Sequence, residues 1–177
     1  LDSLFPQAIP GVIETVEALR NRGLKIGSTT GYTDTMMEVV TANALKKGYG
    51  PDFHVTPDAT HSIGRPYPYM IYRNMEKLKL APSWKVVKVG DTISDMQEGV
   101  NAGVWTVGVI VGSSEMGLSL DEYTSLPERD KQDLISKTAD IFLKNGADFT
   151  IKTMEELPEL IDHINILIGD GKRPRSN

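Results

Sequence analysis

The chain has no cysteine. That one absence excludes disulfide bridges, thiolate metal sites and cysteine nucleophiles together. Histidine is scarce as well: His54, His61 and His163 fall at no spacing that suits a shared metal ion. The longest apolar run, Val104–Val111, is broken by Gly108 and is far short of a bilayer span. No secretory signal opens the chain, so the expected setting is cytoplasmic, with no membrane partner. Lysine and arginine number 19 against 24 acidic residues, for a net charge of −5. No basic stripe with interleaved aromatics is present, so nucleic acid is not expected as a partner. Nothing in the order of residues resembles a Ser–His–Asp set or a glycine-rich dinucleotide fingerprint.

What is present is 177 residues with 40% hydrophobic content, enough for one domain with a core of its own. Helical and extended patterns alternate along it. Val12, Ile13, Val16 and Leu19 share one helix face, between Pro10 and Gly23. Leu24–Thr30 reads as a short strand. Thr33 is a fitting N-cap for a helix that ends near Gly48. A strand at Phe53–Thr56, a loop from Pro57 to Pro66 and a helix over Pro68–Leu80 follow. Next come a strand at Val86–Val89, a helix from Asp91 to Gly103 and a strand at Trp105–Val109. A polar loop, Gly112–Arg129, leads to a helix near Asp130–Lys144, a strand at Phe149–Ile151 and a final helix from about Glu155. Strands alternating with helices at this spacing predict βαβ units and a parallel sheet, the α/β class. The expected domain covers residues 1–168, and the Gly-, Pro- and Arg-containing tail 169–177 is expected to be disordered. Met36, Met37, Met70, Met75 and Met96 sit at helical positions and are expected to fill the core.

Three segments carry groups suited to chemistry. In Val89–Gly103, VGDTISDMQEGVNAG, an apolar strand delivers Asp91, and Asp95 follows four residues later at a helix start. Such a pair serves either as a helix cap with a first-turn acid, or as ligands to a hard cation such as magnesium. In Gly27–Thr33, GSTTGYT, the hydroxyls of Ser28, Thr29 and Thr30 precede Gly31 and a helix start. That is either an ordinary cap or an anion cradle. In Gly64–Met70, GRPYPYM, Arg65 is either a solvated turn residue or a planar fork for phosphate or phosphonate oxygens. His61, four residues earlier, is near enough in sequence to approach such a site, although a plain loop histidine is the more ordinary account of it.

In this order the three segments resemble the later motifs of the haloacid dehalogenase superfamily: a Ser/Thr after one strand, a basic residue before a helix, and a GDxxxD-type acid pair. Here these are Thr30, Arg65, and Asp91 with Asp95. Arginine in GRPYP, with GSTTGYT before it and KVGDTISDM and NAGVWTVGVIVGSSEMGL after it, is similar to the phosphonate-cleaving branch of that superfamily. The resemblance runs from about Pro10 to His163. It implies a Rossmann-like, three-layer parallel sheet, a magnesium ion as cofactor and a small-molecule phosphonate as substrate. It also implies that Asp91 and Asp95 serve the metal, Asp95 less directly, and that Thr30, Gly31 and Arg65 hold the phosphonate oxygens. Thr30, Arg65 and Asp95 are thus the implied catalytic residues.

The departures from the family pattern are equally specific. Its nucleophile is an aspartate in a DxxGT motif on the first strand, and its phosphonate-cleaving members add a helical cap whose lysine forms an imine with an aldehyde substrate. Neither is found in these 177 residues. The chain opens on Leu1, and it is expected to be the C-terminal part of a longer enzyme and inactive by itself. A homodimer is a possible form of the complete protein. Two other readings stay open: a phosphatase or phosphomutase acting on a phosphate ester, and a non-catalytic remnant that binds phosphate or a partner protein. The family's first strand lies centrally, between the strand ending at Thr30 and the strand ending at Asp91. Without it those two strands are expected to face each other across a slot, or to collapse together.

Overall fold

The computed structural model describes residues 11–30, 50 and 52–176. The expected helix from Thr33 to Gly48, with Gly31, Met36 and Met37, lies outside the described residues. Helix α1, Val12–Asn21, begins after Gly11, whose φ of 79° turns the chain into it, and buries Thr15, Val16 and Leu19. Strand β1, Gly27–Thr29, pairs in parallel with β2, Phe53–Val55, in the register Gly27 with Phe53 and Thr29 with Val55. β1 is shorter than the Leu24–Thr30 expectation for a local reason. The Ile26 N–H is taken by the Asp52 carboxylate at 2.6 Å, not by a neighbouring strand's carbonyl. Helix α2, Tyr69–Leu78, packs on both strands. Its Asn74 donates from Nδ2 to the Ser28 carbonyl at 3.1 Å. Gly27 is required there, because a Cβ would lie 2.3 Å from the Asn74 Oδ1.

The second sheet has three strands: β3, Val87–Gly90, β4, Trp105–Val109, and β5, Phe149–Ile151, in spatial order β3–β4–β5 and all parallel. Helix α3, Ile93–Ala102, crosses from β3 to β4. The expected loop 112–129 contains a short helix, α4, Leu120–Thr124, opened by a capping box between Ser119 and Glu122. Such a four-residue signal is easily missed inside polar sequence. Helix α5, Glu128–Lys144, follows, and α6, Leu157–Gly169, ends the fold after a 3₁₀ turn at Met154–Glu156.

Every residue of β4 is buried, as expected of a strand covered on both faces. Val107 and Val109 face a core with Leu19, Ile151, Leu157 and Ile161, on the side of α1 and α6. The opposite side is filled by Met96, Ile135, Phe142 and Ala147, from α3, α5 and the turn before β5. Each large side chain among these contributes roughly 1.5–3 kcal/mol of burial. Helix, sheet and helix therefore form the three layers that the family resemblance implies. Met70 and Met96 are fully buried, as their spacing suggests. Among the described residues no helix is long and apolar enough to cross a membrane.

Two features bear on the expectations directly. First, β1 and β3 belong to separate sheets. The strands have not collapsed together. Between them runs a cleft of about 530 Å³, lined by Val16 and Leu157 on one side and by Ile71 and Met75 on the other. Second, the basic tail meets the domain at defined points. Arg175 donates its backbone N–H to Asp148 Oδ1 at 2.6 Å and Nη1 to Asp148 Oδ2 at 3.0 Å, while Nη2 reaches the Val104 carbonyl at 3.0 Å. Arg173 lies 3.9 Å from the Trp84 ring centroid. Asp148 is almost wholly buried, and a buried carboxylate demands a cation; the basic residues that suggest a solvated tail supply it.

Candidate active site

The site forms where β3 ends and α3 begins. Asp91 follows Gly90, the last residue of β3, and Thr92 caps the helix. Thr92 Oγ1 accepts from the Asp95 N–H at 3.1 Å. Asp95 Oδ2 accepts in return from the Thr92 N–H and hydroxyl, at 3.2 and 2.7 Å, and from the Asp91 N–H at 3.3 Å. This capping box folds Asp95 back over the strand end. Gly90 makes the approach possible, since a Cβ there would lie 2.3 Å from the Asp95 Cβ.

The other oxygen, Asp95 Oδ1, meets two cations: Arg65 Nη1 at 2.5 Å and Lys88 Nζ at 3.0 Å. Burial works against ionisation of Asp95 more than any other single influence. The combined pull of Lys88, Arg65 and the Thr92 hydroxyl nevertheless outweighs it and holds the carboxyl at about 2. Asp91 differs. Burial first, and then the charge of Asp95, push its pKa up, while the Ser114 hydrogen bonds and Arg65 offset this only in part. Its Oδ2 has weak contacts to the Ser114 N–H and hydroxyl, both at 3.4 Å. No lysine or arginine forms an ion pair with Asp91 among the described residues.

Arg65 reaches the site from the loop before α2, with its side chain 23% exposed. Within the described residues its Nη1 donates to Asp95 Oδ1. Thr30 follows β1 directly, and its N–H extends the pairing to the Val55 carbonyl at 3.3 Å. Thr29, the residue before it, is linked to the acid pair through Lys88, which donates to Thr29 Oγ1 at 2.8 Å. The cleft between the sheets is lined by Gly27, Ser28 and Thr29 from one side and by Gly90 and Asp91 from the other. The structure thus brings Arg65, Asp91 and Asp95 together and places Thr30 at the adjoining strand end. His61 is exposed and lines a separate surface hollow with Thr60, Tyr69 and Arg73.

Sequence reasoning missed Lys88, Glu98 and Ser114. A lysine inside the apolar run Val86–Val89 is the signal that would have found the first. Glu98 is three residues after Asp95 and so on the same helix face. Ser114 lies in a polar loop with no distinguishing pattern.

Among the described residues no three acidic or histidine side chains converge into a metal cage. The donor set fits magnesium even so, because that ion binds through one or two carboxylates and leaves the rest of its shell to water and substrate oxygens. Asp91 has the less engaged carboxylate of the pair. Both oxygens of Asp95 are already taken, which suits an indirect part.

Comparison with known proteins gives a consistent picture. The family described as "Haloacid dehalogenase-like hydrolase" matches residues 4–109. The chain is 56% identical over 172 residues to phosphonoacetaldehyde hydrolase of Lysinibacillus sphaericus (strain C3-41), covering 97% of this chain and 64% of that protein. It is 54% identical over 157 residues to a bifunctional phosphonoacetaldehyde hydrolase/aminoethylphosphonate transaminase of Clostridioides difficile (strain 630), covering 89% of this chain and 24% of that one. Among solved structures, a phosphonoacetaldehyde hydrolase-like protein from Oleispira antarctica superposes with a TM-score of 0.89 at 31% identity, over 96% of this chain and 61% of that chain. The chain therefore spans less than two thirds of the length of these relatives.

Proposed function

The chain belongs to the haloacid dehalogenase-like hydrolases, and from that premise we propose that it forms the core of a phosphonoacetaldehyde hydrolase, an enzyme that cleaves a C–P bond to give acetaldehyde and phosphate. The relatives that match most of this chain carry that name. The observation that carries the reading is the meeting of Arg65 with the Asp91–Asp95 turn at the rim of the cleft between β1 and β3.

In this reading Asp91 ligates magnesium, and Asp95 holds the turn and Arg65 in place. The ion supplies positive charge that offsets repulsion between a carboxylate nucleophile and the phosphonate. Arg65 offers its guanidinium to phosphonate oxygens, with Thr30 and Gly31 completing the cradle. The nucleophilic aspartate and the imine-forming lysine come from segments that these residues do not include. An imine on the aldehyde carbon would draw electrons from the C–P bond while the aspartate attacks phosphorus; water then clears the acyl phosphate. The apolar walls of the cleft, flanked by β1 and β3, suit the strand that would bring that aspartate.

Phosphorus and proton NMR of the full-length protein with phosphonoacetaldehyde test this. Phosphate and acetaldehyde should appear in equal amounts and in a magnesium-dependent manner. Residues 1–177 produced alone should release none. Arg65→Lys keeps the charge but loses the fork, so it should raise KM about tenfold. Hydrolysis of phosphate esters with no C–P cleavage would establish the phosphatase reading in its place.

A further inference from the structure

Lys88 is a lysine on a strand with only 10% of its side chain exposed. Its ammonium has three donors, and three acceptors from three places take them. These are Asp95 Oδ1 at 3.0 Å, Glu98 Oε2 at 2.9 Å and Thr29 Oγ1 at 2.8 Å. Thr29 in turn donates its hydroxyl to Glu98 Oε2 at 3.2 Å. Glu98 is fully buried, and its Oε1 has no hydrogen-bond partner among the described residues. Burying such a set in place of apolar side chains seldom adds stability. Stability is therefore a poor account of why it is there, and geometry is a better one.

The contacts of Lys88 cross the cleft. β3 and β1 share no backbone pairing among the described residues, yet Lys88 joins β3 to the last residue of β1. It also grips α3 at two positions one turn apart, Asp95 and Glu98. A compact ammonium on a flexible stem can collect acceptors from three directions, which a planar guanidinium cannot do as well. Thr30, on the substrate side, is the residue after Thr29. Asp91, on the metal side, is bonded through its N–H to Asp95.

We propose that Lys88 is a positioning residue: through Asp95 and Thr29 it holds the metal-side turn of α3 and the substrate-side end of β1 in one fixed geometry, with Glu98 as its counter-charge. This rests on the assignment of Asp91 to the metal and Thr30 to the substrate made above. Lys88 touches neither ligand and acts only through its neighbours. Partners of this kind commonly tune metal affinity or turnover by roughly 10–100-fold.

The test uses the full-length protein carrying Lys88→Met with Glu98→Gln, which removes both charges and so leaves neither member of the pair as a lone buried ion. Binding of Mn²⁺, which prefers the same oxygen donors as magnesium, is followed by electron paramagnetic resonance of the free ion. Turnover of phosphonoacetaldehyde is measured alongside. The expected result is a native circular dichroism spectrum with Mn²⁺ affinity reduced about tenfold and kcat reduced roughly 10–100-fold. Wild-type affinity and kcat in the folded double variant would overturn the proposal. Asp91→Asn separates this from the underlying assignment: if that variant keeps wild-type Mn²⁺ affinity, the metal assignment fails, whatever the double variant does. Should the double variant not fold, Thr29→Val cuts the link across the cleft alone. A fall in kcat of about fivefold or more supports the role of Lys88, and an unchanged kcat removes it.

Discussion

β4 is buried from Trp105 to Val109, whereas Gly27 at the start of β1 and His54 in the middle of β2 are exposed. The three-stranded sheet has a filled core on each face. Among the described residues the two-stranded sheet is held by α2, which buries Met70 and Ile71, and by side-chain ties such as Asn74 to the Ser28 carbonyl and Lys88 to Thr29. The groups proposed for the active site are divided between these regions. Asp91 and Asp95 belong to the three-stranded part, and Thr30 to the two-stranded one. The difference separates two jobs: the three-stranded sheet sets the charge pattern, and among the described residues the smaller sheet is tied to it by polar contacts such as Lys88 to Thr29.

The largest change should come from the packed region. Phe142 is fully buried against the face of β4 that Gly108 leaves open. Phe142→Ala should cost about 3–5 kcal/mol in urea unfolding. A loss below about 1 kcal/mol would mean that the three-stranded sheet is no better anchored than its neighbour.

Asp95 ties the two regions together, so its removal should come next. With its pKa held at about 2 against 3.8 for a free aspartate, the ionised form contributes about 2 kcal/mol to stability. The folded-state value is depressed, so this contribution is complete above about pH 4 and is lost as pH falls through about 2. Asp95→Asn should lower stability by about 2 kcal/mol at neutral pH and flatten the acid limb of the stability profile. An unchanged acid limb would show that the Lys88 and Arg65 pairs do not act in solution.

A smaller effect is expected at the far edge of the packed sheet. Arg175→Ala leaves the buried Asp148 with its backbone donors but without its cation. The expected loss is about 1–3 kcal/mol by thermal unfolding, with KM and kcat unaffected in the full-length protein. The smallest effect on stability belongs to Asp91→Asn. Burial and Asp95 disfavour the Asp91 charge, so removing it should stabilise the fold slightly, by less than about 1 kcal/mol after solvent screening. The same change should abolish the magnesium response. A destabilised Asp91→Asn would show that the aspartate serves the fold and not the metal.

The pattern of helices and strands was legible because periodicity and capping residues are local signals. Pro10 with Gly23, and Asp91 with Gly103, mark their helices by rules that hold in any fold, although the cap itself is Thr92, one residue on from Asp91. Asp91, Asp95 and Arg65 could be singled out because each sits where a strand or loop meets a helix. Their contact with one another could not be read from spacing. Arg65 and Asp95 are thirty positions apart, and only the crossing of α2 and α3 over the parallel strands joins them. Lys88 escaped notice because a single polar residue in an apolar strand resembles an edge position until the sheet is seen. The contacts of the tail were not legible, because composition describes Arg173 and Arg175 but says nothing of the buried Asp148 and the Trp84 ring that receive them.

Gly90 has no side chain to offer a ligand and would be passed over in any roll of functional groups. Because a Cβ at this position would collide with Asp95, even alanine would lift the capping carboxylate off the strand end and carry Arg65 with it. In a systematic mutational scan, position 90 should therefore behave like a reactive group. Every substitution there would be harmful, with little dependence on polarity or size, since the penalty is set by the first carbon added. An engineer seeking new substrates should vary the rim around Arg65 and leave this glycine untouched, because it is the empty space that gives the site its shape.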